Sequence, residues 1–112
     1  TGLDPGVVAQ LHADLVFLLL GLTIGTLAAL VATAAPQRAV RAAWFLLAAE
    51  LAQGLVGYVQ YAIALPVLLV GIHLAGAAVV VVAAVHLLMT TRERDRVPAQ
   101  RAAGTAVEVL AR

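Results

Sequence analysis

Residues 15–35 read LVFLLLGLTIGTLAALVATAA, a run without a charged side chain that ends at Pro36. Upstream, Asp4-Pro5 has the form of a helix start, with Asp4 as N-cap and Pro5 at the first helical position, where its missing N–H costs nothing. A helix from Pro5 to Ala35 would be roughly 46 Å long, enough to cross the hydrocarbon of a bilayer and enter both interfaces. The stretch therefore reads as a membrane span. Gln10, His12 and Asp14, in its first turns, fall near one membrane surface.

The composition agrees. Of 112 residues, 63% are hydrophobic and 12% charged, and the mean hydropathy is +1.03. A soluble domain this small leaves much of its surface wet and cannot hide so much apolar area. The long apolar runs point to lipid as the solvent and bilayer as the first partner. Without cysteine, disulfides, thiolate metal sites and cysteine nucleophiles are excluded. A net charge of +1 gives no reason to expect nucleic acid. All seven basic residues are arginine and alanine is abundant, a bias associated with GC-rich bacterial genomes.

Two further spans follow, giving an all-α, polytopic architecture with helices over about 5–35, 40–64 and 66–90. The turns are Pro36-Gln37-Arg38 and Leu65-Pro66. Residues 1–90 form the transmembrane bundle, and 91–112 a polar tail expected to be disordered or weakly helical. Arg38 and Arg41 lie by the first turn, and Arg92, Arg94 and Arg96 follow the third span. By the positive-inside rule the N-terminus is outside and the tail cytoplasmic. No start methionine or charged leader region precedes the first span, so natural sequence is expected upstream of Thr1.

His12 lies seven positions after Pro5, and His73 seven positions after Pro66. Both helices start at the outer surface, so both imidazoles are expected about 10 Å below their helix starts. Two imidazoles at one level can serve as axial ligands on the two faces of a haem. Gly76 and Ala77, at i+3 and i+4 from His73, would leave a thin face for a flat macrocycle. The plainer alternative is a pair of histidines hydrogen-bonded to neighbouring helices. His86 lies roughly 20 Å deeper and about 220° around the axis, so it cannot share that site and reads as interfacial.

Glu50 falls well inside the second span, where a carboxylate is expected to face the bundle interior, hold a proton or pair with a polar group. Gly54, Gly57 and Tyr61 share its stripe, with Gln53 and Gln60 adjoining. Two readings stand: a proton relay or cofactor partner, and interhelical hydrogen bonding with Gly54 and Gly57 allowing close approach. Gly21 and Gly25 form a GxxxG consistent with helix packing. Asp14, at i+2 from His12, points elsewhere and reads as a solvated interfacial acid.

Three segments together carry a family resemblance. They are QLHADL at 10–15, ELAQGLVGYVQY at 50–61 and LPVLLVGIH at 65–73. In this order and spacing they resemble the actinobacterial form of haem A synthase, the bacterial membrane enzyme that converts haem O to haem A for cytochrome oxidase assembly. The likeness extends over most of residues 5–90. In that family eight spans form two four-helix halves, each holding a haem between histidines on its second and fourth helices. The resemblance makes this chain the last three helices of the C-terminal half, with His12 and His73 as iron ligands of a haem b. It implies oxidoreductase activity for the whole enzyme, with haem O as substrate and the catalytic half elsewhere. It further implies the remaining helices of the enzyme as partners, haem O synthase as a candidate partner, and the bacterial cytoplasmic membrane as the location. Two other readings remain beside it: a non-catalytic b-type haem module for electron transfer, and a haem-free helical scaffold.

Overall fold

The computed structural model describes residues 2–111, and for residues 93–100 the backbone alone. Three helices follow one another: α1 (Pro5–Ala32), α2 (Gln37–Ala62) and α3 (Val67–Leu110). Each contains a segment long and apolar enough to cross a membrane: Pro5–Ala32, Gln37–Ala62 and Val67–Arg92. A helix satisfies its backbone groups within one segment, the condition that lipid imposes. The expected start of α1 is present: the Asp4 carboxylate accepts hydrogen bonds from the Gly6 and Val7 amides at 2.7 and 3.3 Å.

Both interhelical turns use one device. At the end of α1 the Ala35 amide donates to Leu30 O at 2.9 Å and the Ala34 amide to Val31 O at 3.1 Å. At the end of α2 the Leu65 amide donates to Gln60 O at 2.7 Å and the Ala64 amide to Tyr61 O at 3.4 Å. These 6→1 and 5→2 pairs are the Schellman arrangement, which requires a left-handed residue just past the helix. Ala34 (φ 48°) and Ala64 (φ 63°) take that role, with Leu65 (φ 60°) following the second. Pro36 and Pro66 then stand at the N-cap positions of the next helices, which begin at Gln37 and Val67. This device explains why α1 stops at Ala32 and α2 at Ala62, short of the expected Ala35 and Ala64.

The third apolar segment closes at Arg92, near the expected 90. Of the two forms expected for the tail the helical one is present, and α3 continues to Leu110. Thr90 and Thr91 do not break it, because their hydroxyls donate back to Leu87 O and Leu88 O at 2.7 Å. Alanine, arginine and glutamate beyond them are strong helix formers. At 44 residues α3 accounts for most of the molecule's 74 Å long axis.

α2 packs against both neighbours, whereas α1 and α3 bring no Cα atoms within 8 Å of each other. The buried residues reveal the packing rule. On α2 the covered positions Ala39, Ala43, Leu46, Glu50, Gln53, Gly57 and Gln60 alternate steps of four and three. On α1 the positions Ala13, Val16, Leu20, Thr23, Leu27 and Leu30 do the same, as do Leu69, His73, Gly76, Val80, Ala83, Leu87 and Thr90 on α3. This is the seam of helices packed at a shallow left-handed crossing. The fully buried core (Leu27, Leu30, Ala39, Ala42, Ala43, Leu46, Ala83 and Leu87) lies entirely in the half that carries Arg38 and Arg41. Toward the other end, where the histidines lie, the bundle is open.

Two stability measurements test this account, both by reversible unfolding in detergent. Replacing Ala34 or Ala64 by glycine removes the left-handed strain on a side chain, and each change should stabilise the protein by about 1 kcal/mol. Ala43 is wholly buried at the crossing, so Ala43→Leu should destabilise by about 1–3 kcal/mol. Ala48→Leu on the exposed face should be near neutral.

Candidate functional site at the open end of the bundle

The covered face of α2 changes character along its length. Ala39, Ala43 and Leu46 are apolar, and the next covered positions are Glu50, Gln53, Gly57 and Gln60. Glu50, Gln53 and Gln60 therefore lie on the face turned to the neighbouring helices, beginning where the apolar core ends.

Glu50 marks that boundary. It is 6% exposed, and its Oε1 accepts a 2.7 Å hydrogen bond from the Thr23 hydroxyl of α1. Thr23 is itself 3% exposed, so the bond is shielded from solvent and lipid alike. The second carboxyl oxygen, Oε2, is buried without a partner among the described residues. Glu50 thus faces the bundle interior and pairs with a polar group, as expected of an intramembrane carboxylate. Thr23 as its partner was not legible, because an isolated threonine between two glycines carries no signal for a partner 27 residues away.

One turn farther, Gln53 ties α2 to α3. Its amide Nε2 donates to the His73 carbonyl oxygen at 2.8 Å. Gly76 makes room for it: a Cβ at that position would collide with the Gln53 amide. The thin face expected at Gly76 is therefore filled from α2, and Ala77, exposed at i+4 from His73, is the small residue left facing outward. Gly57 comes next along α2. A Cβ there would lie 3.2 Å from the His73 ring carbon Cε1, so the imidazole rests directly on the α2 backbone.

The stripe drawn from Glu50 through Gly54 and Tyr61 is displaced by this geometry. Gly54 has nothing within 4 Å of an added Cβ, and Tyr61 is 73% exposed. Of that stripe only Glu50 and Gly57 lie on the seam. Gly21 and Gly25 also face away from the other helices, with open space around both.

The two histidines converge. The rings of His12 on α1 and His73 on α3 lie 6.2 Å apart between centroids, with their planes at 73°. His73 is half-buried on the α3 seam and His12 is exposed beside Ala13 on the α1 seam. The two rings meet although the α1 and α3 backbones come no closer than 8 Å between Cα atoms among the described residues. Neither imidazole donates or accepts a hydrogen bond among the described residues, and the His73 Nδ1 atom is buried without a partner. Two imidazoles ligating one metal place their centroids roughly 6.4 Å apart, from a metal–nitrogen bond of ~2.0 Å and about 1.2 Å from nitrogen to ring centre on each side. The observed separation suits a shared metal. No group of three or more His, Cys, Asp or Glu side chains gathers around a common point among the described residues.

The remaining candidates stay apart from this pair. Asp14 is exposed and accepts from the Gln10 amide at 2.9 Å, which leaves it uninvolved with His12. His86 is exposed at the arginine end, beside Arg38, Arg41, Ala42 and Phe45 in a shallow open cleft.

Thr23→Val should cost about 1–2 kcal/mol in detergent unfolding, since it leaves both carboxyl oxygens of Glu50 without a partner. In a Glu50→Leu background the same change should cost little, and a double-mutant cycle reads the difference. Additive effects of the two changes would show that the bond carries no coupling. Against known proteins, the chain matches no family model, no curated protein and no solved structure.

Proposed function

We propose that this chain supplies a bis-histidine haem site within a membrane, as the C-terminal part of a haem A synthase. The observation that carries the reading is the His12–His73 pair, whose 6.2 Å centroid separation suits one iron held between them. Three further features agree with it. The α1 and α3 backbones stay apart at this level, both imidazoles are free of competing hydrogen bonds among the described residues, and Ala77 keeps the neighbouring α3 face low. The family likeness of segments 10–15, 50–61 and 65–73 supplies the identity of the group as haem b.

A haem iron ligated by two imidazoles passes single electrons and offers no open position for a substrate. The residues of this chain accordingly hold and orient the group. His12 and His73 provide the two nitrogens. Gln53 fixes the α3 backbone at His73 through its carbonyl, and Gly57 sets how closely the ring approaches α2. Thr23 and Glu50 lock α1 to α2 below the site, which holds the two histidine-bearing helices at one separation. The substrate haem O and its oxidation to haem A belong to the rest of the enzyme, whose other helices complete the pocket. The arginines at the opposite end support a topology with the histidine end outside and α3's polar continuation in the cytoplasm, across the bacterial cytoplasmic membrane.

Protein purified with its native membrane partners should show a Soret band of six-coordinate, low-spin character. His12→Ala and His73→Ala should each abolish that low-spin spectrum, and His86→Ala should leave it intact. Haem-free protein under those conditions would reject the proposal in favour of a helical scaffold. A low-spin spectrum that survives His73→Ala would reject the ligand assignment.

A further inference from the structure

We infer that Gln60 is the positioning residue for His73, its side-chain carbonyl accepting the Nδ1–H so that Nε2 is presented to the gap between α1 and α3. The inference deepens the haem reading, on which its redox consequence rests, but the contact itself does not require haem.

Three buried side-chain atoms have no hydrogen-bond partner among the described residues: His73 Nδ1, Gln60 Oε1 and Glu50 Oε2. An imidazole that uses Nε2 as a ligand carries its proton on Nδ1, which must then donate. Gln60 Oε1 is an acceptor with nothing to accept. One atom's need is the complement of the other's. Each is costly when buried alone, and together they satisfy both groups.

Position supports the pairing. Gly57, one turn below Gln60 on the same seam, is where α2 meets the Cε1 edge of the ring: a Cβ there would lie 3.2 Å from Cε1, 3.7 Å from Nδ1 and 3.8 Å from Nε2, and of the two nitrogens Nδ1 is the one buried without a partner among the described residues. Gln60 is three residues farther on, roughly 4.5 Å along the helix axis and within the span of an extended glutamine side chain. The Cα–Cβ bonds of α3 tilt toward its N-terminus, so the His73 ring leans toward the end of α2 that carries Gln60. The Gln60 backbone is held in place as well, since its carbonyl receives the Leu65 amide at 2.7 Å in the turn.

Other acceptors are less well placed. The Gln53 amide donates through Nε2 to the His73 carbonyl and lies against Gly76, toward the C-terminal side of His73 and away from the direction in which the ring leans. Glu50 Oε2 lies seven residues below Gly57, roughly 10 Å along α2.

Two readouts test the assignment on the full chain in detergent. In haem-free protein, ¹⁵N chemical shifts should show His73 as the Nδ1–H tautomer. Gln60→Leu should convert it to a mixture richer in Nε2–H, and Gln60→Glu should keep it Nδ1–H. In the haem-loaded protein, Gln60→Leu should retain the low-spin spectrum but raise the midpoint potential, because an imidazole that donates no hydrogen bond is the weaker electron donor to iron. Gln60→Glu, with a stronger acceptor, should lower the potential below wild type. An unchanged tautomer in Gln60→Leu, or unchanged potentials in both variants, would overturn the role of Gln60. If Gln60→Leu fails to fold, Gln60→Glu alone decides by the sign of its potential shift. Absence of haem from the wild-type protein would count against the haem reading, and the tautomer would still decide on the contact.

Discussion

The constraint on which the bundle depends is the four-three seam along each helix, with α2 at its centre. In lipid no hydrophobic force pushes apolar helices together, because the solvent is as apolar as the side chains. Association then rests on close packing and on hydrogen bonds between helices. Ala39 and Ala43, at 1% and 0% exposure, let neighbouring backbones approach closely at the arginine end. Farther along the same seam the alanines give way to Glu50, Gln53 and Gln60, and packing is replaced by polar links. The closed end and the open end are two halves of one line of residues.

That line explains how a site can be built by a helix that contributes no ligand to it. α2 reaches α1 through Glu50 and Thr23, and reaches α3 through Gln53 and the His73 carbonyl. The two imidazoles are thereby set at 6.2 Å although the backbones of their own helices stay apart. A direct α1–α3 interface would fill the space between the rings. Spacing from the side preserves it, the arrangement on which the proposal of a flat group held between the rings draws.

The sequence revealed the three spans and the shared level of His12 and His73, since long uncharged runs and proline-anchored helix starts are local signals. The seam was harder to see. In a soluble bundle the covered stripe stands out as apolar against polar, but here residues facing lipid, such as Leu18, Leu22 and Val82, are as apolar as those facing α2. The stripe from Glu50 through Gly54 to Tyr61 was drawn at i+4 and i+7 steps, one of the two patterns that share Glu50. The structure selects the other, through Gln53 and Gln60. Gly21 and Gly25 misled for the same reason: their spacing matches a packing motif, and only the position of the neighbouring helices shows that they face away. The form of the tail was left open between disorder and weak helix because charged residues mark the end of a span, not the end of a helix.

The second turn also determines more than where α2 stops. Residues 63–65 hold two consecutive left-handed conformations with two backbone bonds fastened across them, and Pro66 permits α3 to begin at once. Such a joint has no slack. The azimuth of α3, and with it the direction in which His73 points, is geared to the last turn of α2 rather than chosen independently in the membrane. One residue more or fewer in the joint would rotate the helix by about 100°, carrying the imidazole off the seam. The length of this turn is thus as much an ingredient of the site as the histidine itself. A glycine there would ease its strain without altering the gearing.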